Sequence, residues 1–307
     1  MGKCKEVASG CGPCEERPLR LCFSLLGTLL LFLTLQPTIS AQEGPYFITY
    51  THQMEEPGSL EVTLKPVVGV PKHAPWFAGY ATEFEYGVRG WWTTELYLDA
   101  QSTRNDTTLF TGFRWENRFR LLMREHWVNP VFYLEFEDIN GADKTLLEVV
   151  NHDGEDDLAG RNAEARAEKQ RELEGKLILS SNFRGWNVAE NFIAERNLAN
   201  APWEFGYAWG VSRPLALAAS PRACSFCREN FRAGVEMYGG MGTWNDFGLA
   251  QTSHYVGPVI AWDLPGGVTL GLSPSFGLTA SSTRALFRFS VSREMPGFGR
   301  SVSRMFR

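Results

Sequence analysis

Ionisable side chains recur at every second position in this chain, and they are the groups with the most chemistry to offer. Phe113-Arg114-Trp115-Glu116-Asn117-Arg118-Phe119-Arg120 sets one fully charged face against one mostly aromatic face. In Tyr80-Ala81-Thr82-Glu83-Phe84-Glu85-Tyr86 the acids share a face with Ala81, and the rings take the other. Side chains of a strand point alternately to its two faces, so this phase is that of a two-faced strand. Followed from strand to strand, the charged face collects Glu83, Glu85, Glu95, Asp99, Arg114, Glu116, Arg118 and Arg120. It goes on through Glu135, Glu137, Glu174, Lys176, Glu195, Glu204, Arg232, Glu236 and Arg288. Acidic strands flank the arginine-rich one, so cross-strand ion pairs are expected. The planar arginine fork suits paired carboxylates. Charge facing charge on many strands, with Phe113, Trp115, Phe132, Leu134, Phe136, Phe205, Tyr207, Trp209, Leu270, Leu272, Phe287 and Phe289 opposite, describes a barrel with a polar lumen and a lipid-facing exterior.

The elements that must position these groups are read as strands near 60–66, 78–88, 92–101, 109–121, 131–139 and 173–183. Six more follow near 186–196, 203–212, 231–239, 254–262, 268–276 and 285–292. The expected fold is all-β: an antiparallel transmembrane β-barrel of about 12 strands, over residues 60–293. Tyr46–Gln53, within 42–59, is either an N-terminal extension or the first strand in place of 60–66, and 294–307 is a C-terminal tail. Short turns at Arg89-Gly90, Arg184-Gly185 and Pro265-Gly266-Gly267 alternate with longer connections, the asymmetry of periplasmic turns and extracellular loops. The longest, residues 140–172, is charged, and Gly160–Glu172 reads as a short exposed helix. A solvated loop is favoured there over a receptor-binding element. Trp91, Trp92, Trp127, Trp186 and Trp203 fall near strand ends, where an aromatic girdle belongs.

The N-terminus reads as an export signal. Lys3, Lys5, Arg17 and Arg20 precede the apolar run Leu21–Leu35, and Ile39-Ser40-Ala41 offers a cleavage site that leaves Gln42 first. The apolar run is shorter than the ~20 residues of a membrane-spanning helix, and no later stretch qualifies. Removing residues 1–41 takes four of the 30 basic and three of the 35 acidic residues, which leaves a balance of −6. That balance speaks against nucleic acid as a partner.

Two local motifs offer other chemistry. Cys224-Ser225-Phe226-Cys227 fits a small disulfide loop in an oxidising compartment best. Redox chemistry lacks its βαβ context, and zinc lacks a second cysteine pair, so neither a metal nor a cofactor is expected. Ser253 and His254 are neighbours on a strand and face opposite ways, while His52, His73, His126 and His152 have no clear serine partner. No enzyme is expected, with an outer-membrane lipid hydrolase as the less favoured alternative. Gly239-Gly240-Met241-Gly242 and Gly266-Gly267 read as turns or strand ends, and Asn105-Asp106-Thr107 as a polar turn.

Several segments resemble bacterial outer-membrane β-barrel proteins of transporter- or porin-like type, near the barrel group linked to the MetA pathway of phenol degradation. They are Glu83-Phe84-Glu85-Tyr86-Gly87 with Trp92–Leu98, Glu174–Ser180, Asn187–Glu195, Trp203–Tyr207, and His254–Pro258 through Phe276–Thr279. The chain departs from that class at its end, where Glu294–Arg307 follows the last strand instead of a terminal aromatic residue. The resemblance implies an outer-membrane location, with membrane lipid, the barrel-assembly machinery and small solutes as partners. Two functions fit such a lumen. Its charges could line a narrow path that selects solutes. Alternatively they could pair so fully that the barrel is structural and does not conduct.

Overall fold

A computed structural model describes residues 44–144, 158–199, 201–218 and 224–305. The proposed export signal and His152 lie outside the described residues. Alternating sequence becomes twelve strands among the described residues: β1 (Leu60–Val70), β2 (Phe77–Arg89), β3 (Trp92–Thr103), β4 (Thr108–Arg120), β5 (Asn129–Asn140) and β6 (Lys169–Phe183). Then come β7 (Trp186–Asn197), β8 (Glu204–Pro214), β9 (Phe231–Thr243), β10 (His254–Leu264), β11 (Val268–Gly277) and β12 (Ala285–Met295). Each strand pairs antiparallel with its neighbours in sequence, and β1 pairs with β12 to close the barrel. Closure leaves no unpaired edge, which a sheet in hydrocarbon cannot tolerate.

The two faces sort as their phase predicts. Arg118 and Glu135 are 0% and 2% exposed, whereas Phe113 and Phe289 on the outer surface are 38% and 44% exposed. A bulge opposite Asp99 and Ala100 sets Thr111 and Gly112 both inward, so Phe110 and Phe113 both stay outside despite their odd spacing. Exposed tryptophans gather at both ends. Trp91, Trp127 and Trp186 ring the end with the short turns, and Trp76, Trp203 and Trp244 ring the other. Arg184 and Gly185 both have positive φ (49° and 81°), the backbone of a two-residue hairpin between β6 and β7.

Three local expectations are corrected or sharpened. Within Gly160–Glu172 the helix is confined to Asn162–Ala165, because residues from Lys169 onward extend β6. Most of that segment is exposed, as expected, but Asn162 is buried, accepting from Thr103 Oγ1 (3.2 Å) and donating to the Thr107 carbonyl (2.9 Å). Of the two readings of Gly239-Gly240-Met241-Gly242, turn and strand end, the second holds: it closes β9, where a bulge opposite Phe205 and Gly206 accommodates it. At the other end β12 runs to Met295, and a helix (Phe298–Met305) follows.

Candidate functional site: the barrel lumen

Residues 44–57 form no strand; they run through the inside of the barrel. Tyr46–Gln53 is therefore an N-terminal extension and not the first strand. Extended backbone within a barrel has donors that no ladder satisfies, so lumen side chains must take them. The amides of Phe47, Ile48 and Thr49 all donate to the Glu236 carboxylate on β9, at 3.2, 2.8 and 2.6 Å. Three successive N–H groups around one carboxylate make a backbone nest for an anion. Asn191 on β7 then pairs with Tyr50 as a strand would, accepting from its amide (2.6 Å) and donating to its carbonyl (2.9 Å). Arg118 donates to the Gln53 carbonyl, and the Glu55 amide donates to Thr93 Oγ1. The Tyr50 hydroxyl donates to Glu116 at 2.8 Å. Burial, reinforced by Glu116 and Glu95, pushes the Tyr50 phenol well up, so it keeps that proton.

The wall behind this segment is built for close approach. A Cβ on Gly210 would lie 2.5 Å from the Tyr46 ring, and one on Gly271 would lie 3.1 Å from Phe47. Small residues on β8 and β11 thus make room that larger ones would fill.

Charge lines the lumen on most strands, most densely on β2 to β6. Arg118 reaches Glu85 on β2 and Glu95 on β3, and Arg114 reaches Asp99 on β3 (3.0 Å) and Glu135 on β5 (3.4 Å). Lys65 pairs with Glu83 (2.6 Å), Lys176 with Glu174 (2.7 Å), and Arg232 forks onto Asp263 (2.9 and 3.2 Å). Arg120 meets Glu125 in the β4–β5 loop at 3.6 Å, and Arg288 donates to the Tyr238 hydroxyl at 2.7 Å.

Register exposes a pattern within that charge. Glu294 on β12 lies opposite Glu61 on β1, which lies opposite Glu85 on β2, then Glu95 on β3 and Glu116 on β4. The row continues through Glu135, Glu174 and Glu195 to Glu204 on β8. Nine consecutive strands each contribute one glutamate. Because strands of a barrel tilt, a row perpendicular to them climbs. It begins near the last residues of β12 and ends at the first residue of β8, at opposite ends of the barrel. Like charges directly opposite one another are unfavourable, so the neighbouring rows must compensate. They do so with Arg114, Arg118 and Lys176, and with hydroxyl donors from Tyr97 to Glu95 (3.1 Å) and from Tyr133 to Glu135.

All the charged residues placed on the inner face by phase lie there. Sequence reasoning missed Lys65, Tyr97, Tyr133 and Tyr238, although each shares its strand's inward parity. The expectation that His52 lacks a serine partner is corrected: its ring bonds Ser180 on one side and Glu125 on the other (3.0 Å). No local signal could have found that, since the three groups are far apart in sequence. Ser, His and Glu in this order resemble a nucleophile with its base. Here Ser180 is buried and its Oγ also accepts the His52 amide (2.9 Å), so the trio works as a staple for the N-terminal segment. Ser253 donates to the Ser281 carbonyl (2.9 Å), while His254 bonds Tyr207 and Thr252 (2.9 and 2.8 Å); the two do not pair. Cys224 and Cys227 are joined in a disulfide, and Trp262 donates to the Ser225 carbonyl inside that loop (2.7 Å).

The lumen is partly hollow. A cavity of about 140 Å³ and another of about 80 Å³ lie against the N-terminal segment, and Phe47 and Lys65 line both.

Solved structures resemble this arrangement closely enough to compare. An outer-membrane channel from Pseudomonas putida F1 superposes with a TM-score of 0.52 at 10% identity, covering 78% of this chain and 96% of that one. This likeness bears out the fold, a closed antiparallel β-barrel. The KdgM porin, in complex with disordered oligogalacturonate, gives a TM-score of 0.46 at 5% identity, over 76% of this chain and 98% of the porin. No protein-family model matches the sequence, and no curated protein does.

Proposed function

We propose that this barrel resides in the outer membrane and passes small solutes through a narrow lumen that its N-terminal segment constricts. The observation that carries this reading is the hollow, charged space on the lumen side of a fully closed wall. A purely structural barrel of this width has no need for unfilled volume beside ionised groups, whose desolvation is costly. The likeness to an outer-membrane channel supports passage, as does the resemblance seen in the sequence. Arg114, Arg118, Glu95 and Glu135 then set the field that a passing solute meets.

Conductance in a planar bilayer tests the reading. The chain from Gln42 should give small, discrete current steps, and a variant lacking residues 44–57 should give steps several-fold larger. A barrel that inserts with its native fold and is silent in both forms would instead be structural.

A further inference from the structure

Solute passage makes no use of the helix that follows β12, Phe298–Met305. It begins at the end of the barrel ringed by Trp91, Trp127 and Trp186. Its start is tied to the wall there. The amides of Gly297 and Gly299 donate to Ser59 Oγ (3.3 Å) and to the Gly58 carbonyl (2.9 Å), just ahead of β1. Gly299 also rests on β2, where a Cβ on it would lie 2.7 Å from the Tyr86 hydroxyl oxygen. Tyr86 shares the outward parity of Tyr80 and Phe84, so this contact docks the helix against the lipid-facing side of the wall.

The helix has two unlike sides. Phe298 and Val302 stand one turn apart and are apolar, with Phe298 36% exposed. Arg300 and Arg304, also one turn apart, are exposed on another side. Among the described residues no carboxylate pairs with either guanidinium. On the strand leading in, Val291 is 47% exposed on the outer face, and Arg293 is next along that face. A short apolar strip beside arginines, held level with an aromatic girdle, has the form of a helix that lies in a membrane interface. Lipid already surrounds this part of the wall, so the outer surface continues onto the helix without a break. The arginines select anionic headgroups as its cover.

We propose that the C-terminal helix is an interfacial anchor for anionic phospholipid in the leaflet at the short-turn, periplasmic end. Arg300 and Arg304 meet the phosphates, and Phe298 enters the acyl boundary. The proposal rests on the reading of this chain as a membrane barrel.

An environment-sensitive fluorophore on Ser301→Cys tests it, in the chain from Gln42 refolded into phosphatidylcholine vesicles with or without phosphatidylglycerol. Cys224 and Cys227 are joined, so the introduced thiol is the one that reacts. Emission should shift to the blue when phosphatidylglycerol is present, and molar salt should reverse most of that shift. Arg300→Gln combined with Arg304→Gln should abolish the dependence on phosphatidylglycerol. Inorganic phosphate added to the chain in detergent should give no shift. Equal emission in the two vesicles, a double variant that still responds, or a shift that follows protein density in the vesicle, as contact between copies would, overturns the proposal. If the double variant does not refold, a chain lacking residues 298–307 decides the same point. Native mass spectrometry should find less phosphatidylglycerol retained on it, and unchanged retention overturns the proposal. A chain that inserts into neither vesicle sinks the membrane reading along with the anchor. An inserted barrel whose label ignores phosphatidylglycerol sinks the anchor and leaves the membrane reading standing.

Discussion

Arg118 shows how this lumen tolerates so many acids. It is wholly buried, holds Glu85 and Glu95 from two neighbouring strands, and reaches the Gln53 carbonyl. Those two glutamates are register partners, so without the guanidinium they would face each other as uncompensated buried charges. Breaking such a buried pair by removing one partner costs about 3–5 kcal/mol. Arg118→Ala should therefore lower the unfolding free energy of the refolded barrel, read from urea denaturation, by an amount of that order. Adding Glu95→Gln to the variant should restore part of the loss, because one of the stranded charges is then neutral. If the double variant is less stable than the single one, the arginine is acting through packing and not through charge. In a conducting barrel Arg118→Ala should also shift ion preference toward cations, read as a reversal potential across a salt gradient.

The element that decides the character of the lumen is the segment before β1. It is held by side chains of β3, β4, β6, β7 and β9, so its docking should respond to changes in any of them. Burial pulls the His52 imidazole below its ordinary range, against the opposing influence of Glu125. A released segment would take up a proton near the usual value of about 6.5, before the docked one does. Docking is thus undiminished above that pH and weakens as pH falls below it. Amide hydrogen exchange over residues 47–53, corrected for intrinsic rates, should show less protection at pH 5 than at pH 7.5. His52→Gln should flatten the difference, and equal protection of the unmodified chain at both pH values would refute the assignment. Close packing at Gly210 makes a second forecast. Gly210→Ala places a methyl group 2.5 Å from the Tyr46 ring, and such overpacking costs about 1–3 kcal/mol. Limited proteolysis should cut the segment faster in that variant while the barrel itself keeps its resistance.

For the molecule as a whole, the question is how its surface meets its solvent. Rings such as Phe110, Trp115, Phe132 and Phe289 sit outside and the ion pairs sit inside, an arrangement that is stable only in hydrocarbon. The two tryptophan rings mark where that hydrocarbon ends. Reconstituted in lipid with brominated chains, the protein should lose more tryptophan fluorescence to bromines near the headgroups than to bromines at the bilayer centre. Stronger quenching from the centre would place the girdles wrongly.

Alternation along each strand was enough to separate the inner from the outer face, and with it the barrel, because a period of two leaves a side chain only two directions. Glu83, Arg114 and Glu135 on one side, and Phe113, Phe205 and Phe289 on the other, were legible for that reason alone. Even the twelve strands follow from it. What alternation cannot carry is register between strands, since sliding one strand by two residues keeps every face unchanged. The climbing row of nine glutamates therefore exists only in the closed sheet. The path of residues 44–57 was hidden for a related reason: its partners Glu236, Asn191 and Ser180 lie more than a hundred residues away, and a segment without periodicity announces no face. Composition and period determined what kind of wall this chain builds. Closure of the barrel decided what that wall encloses, because only closure brings distant strands around one space.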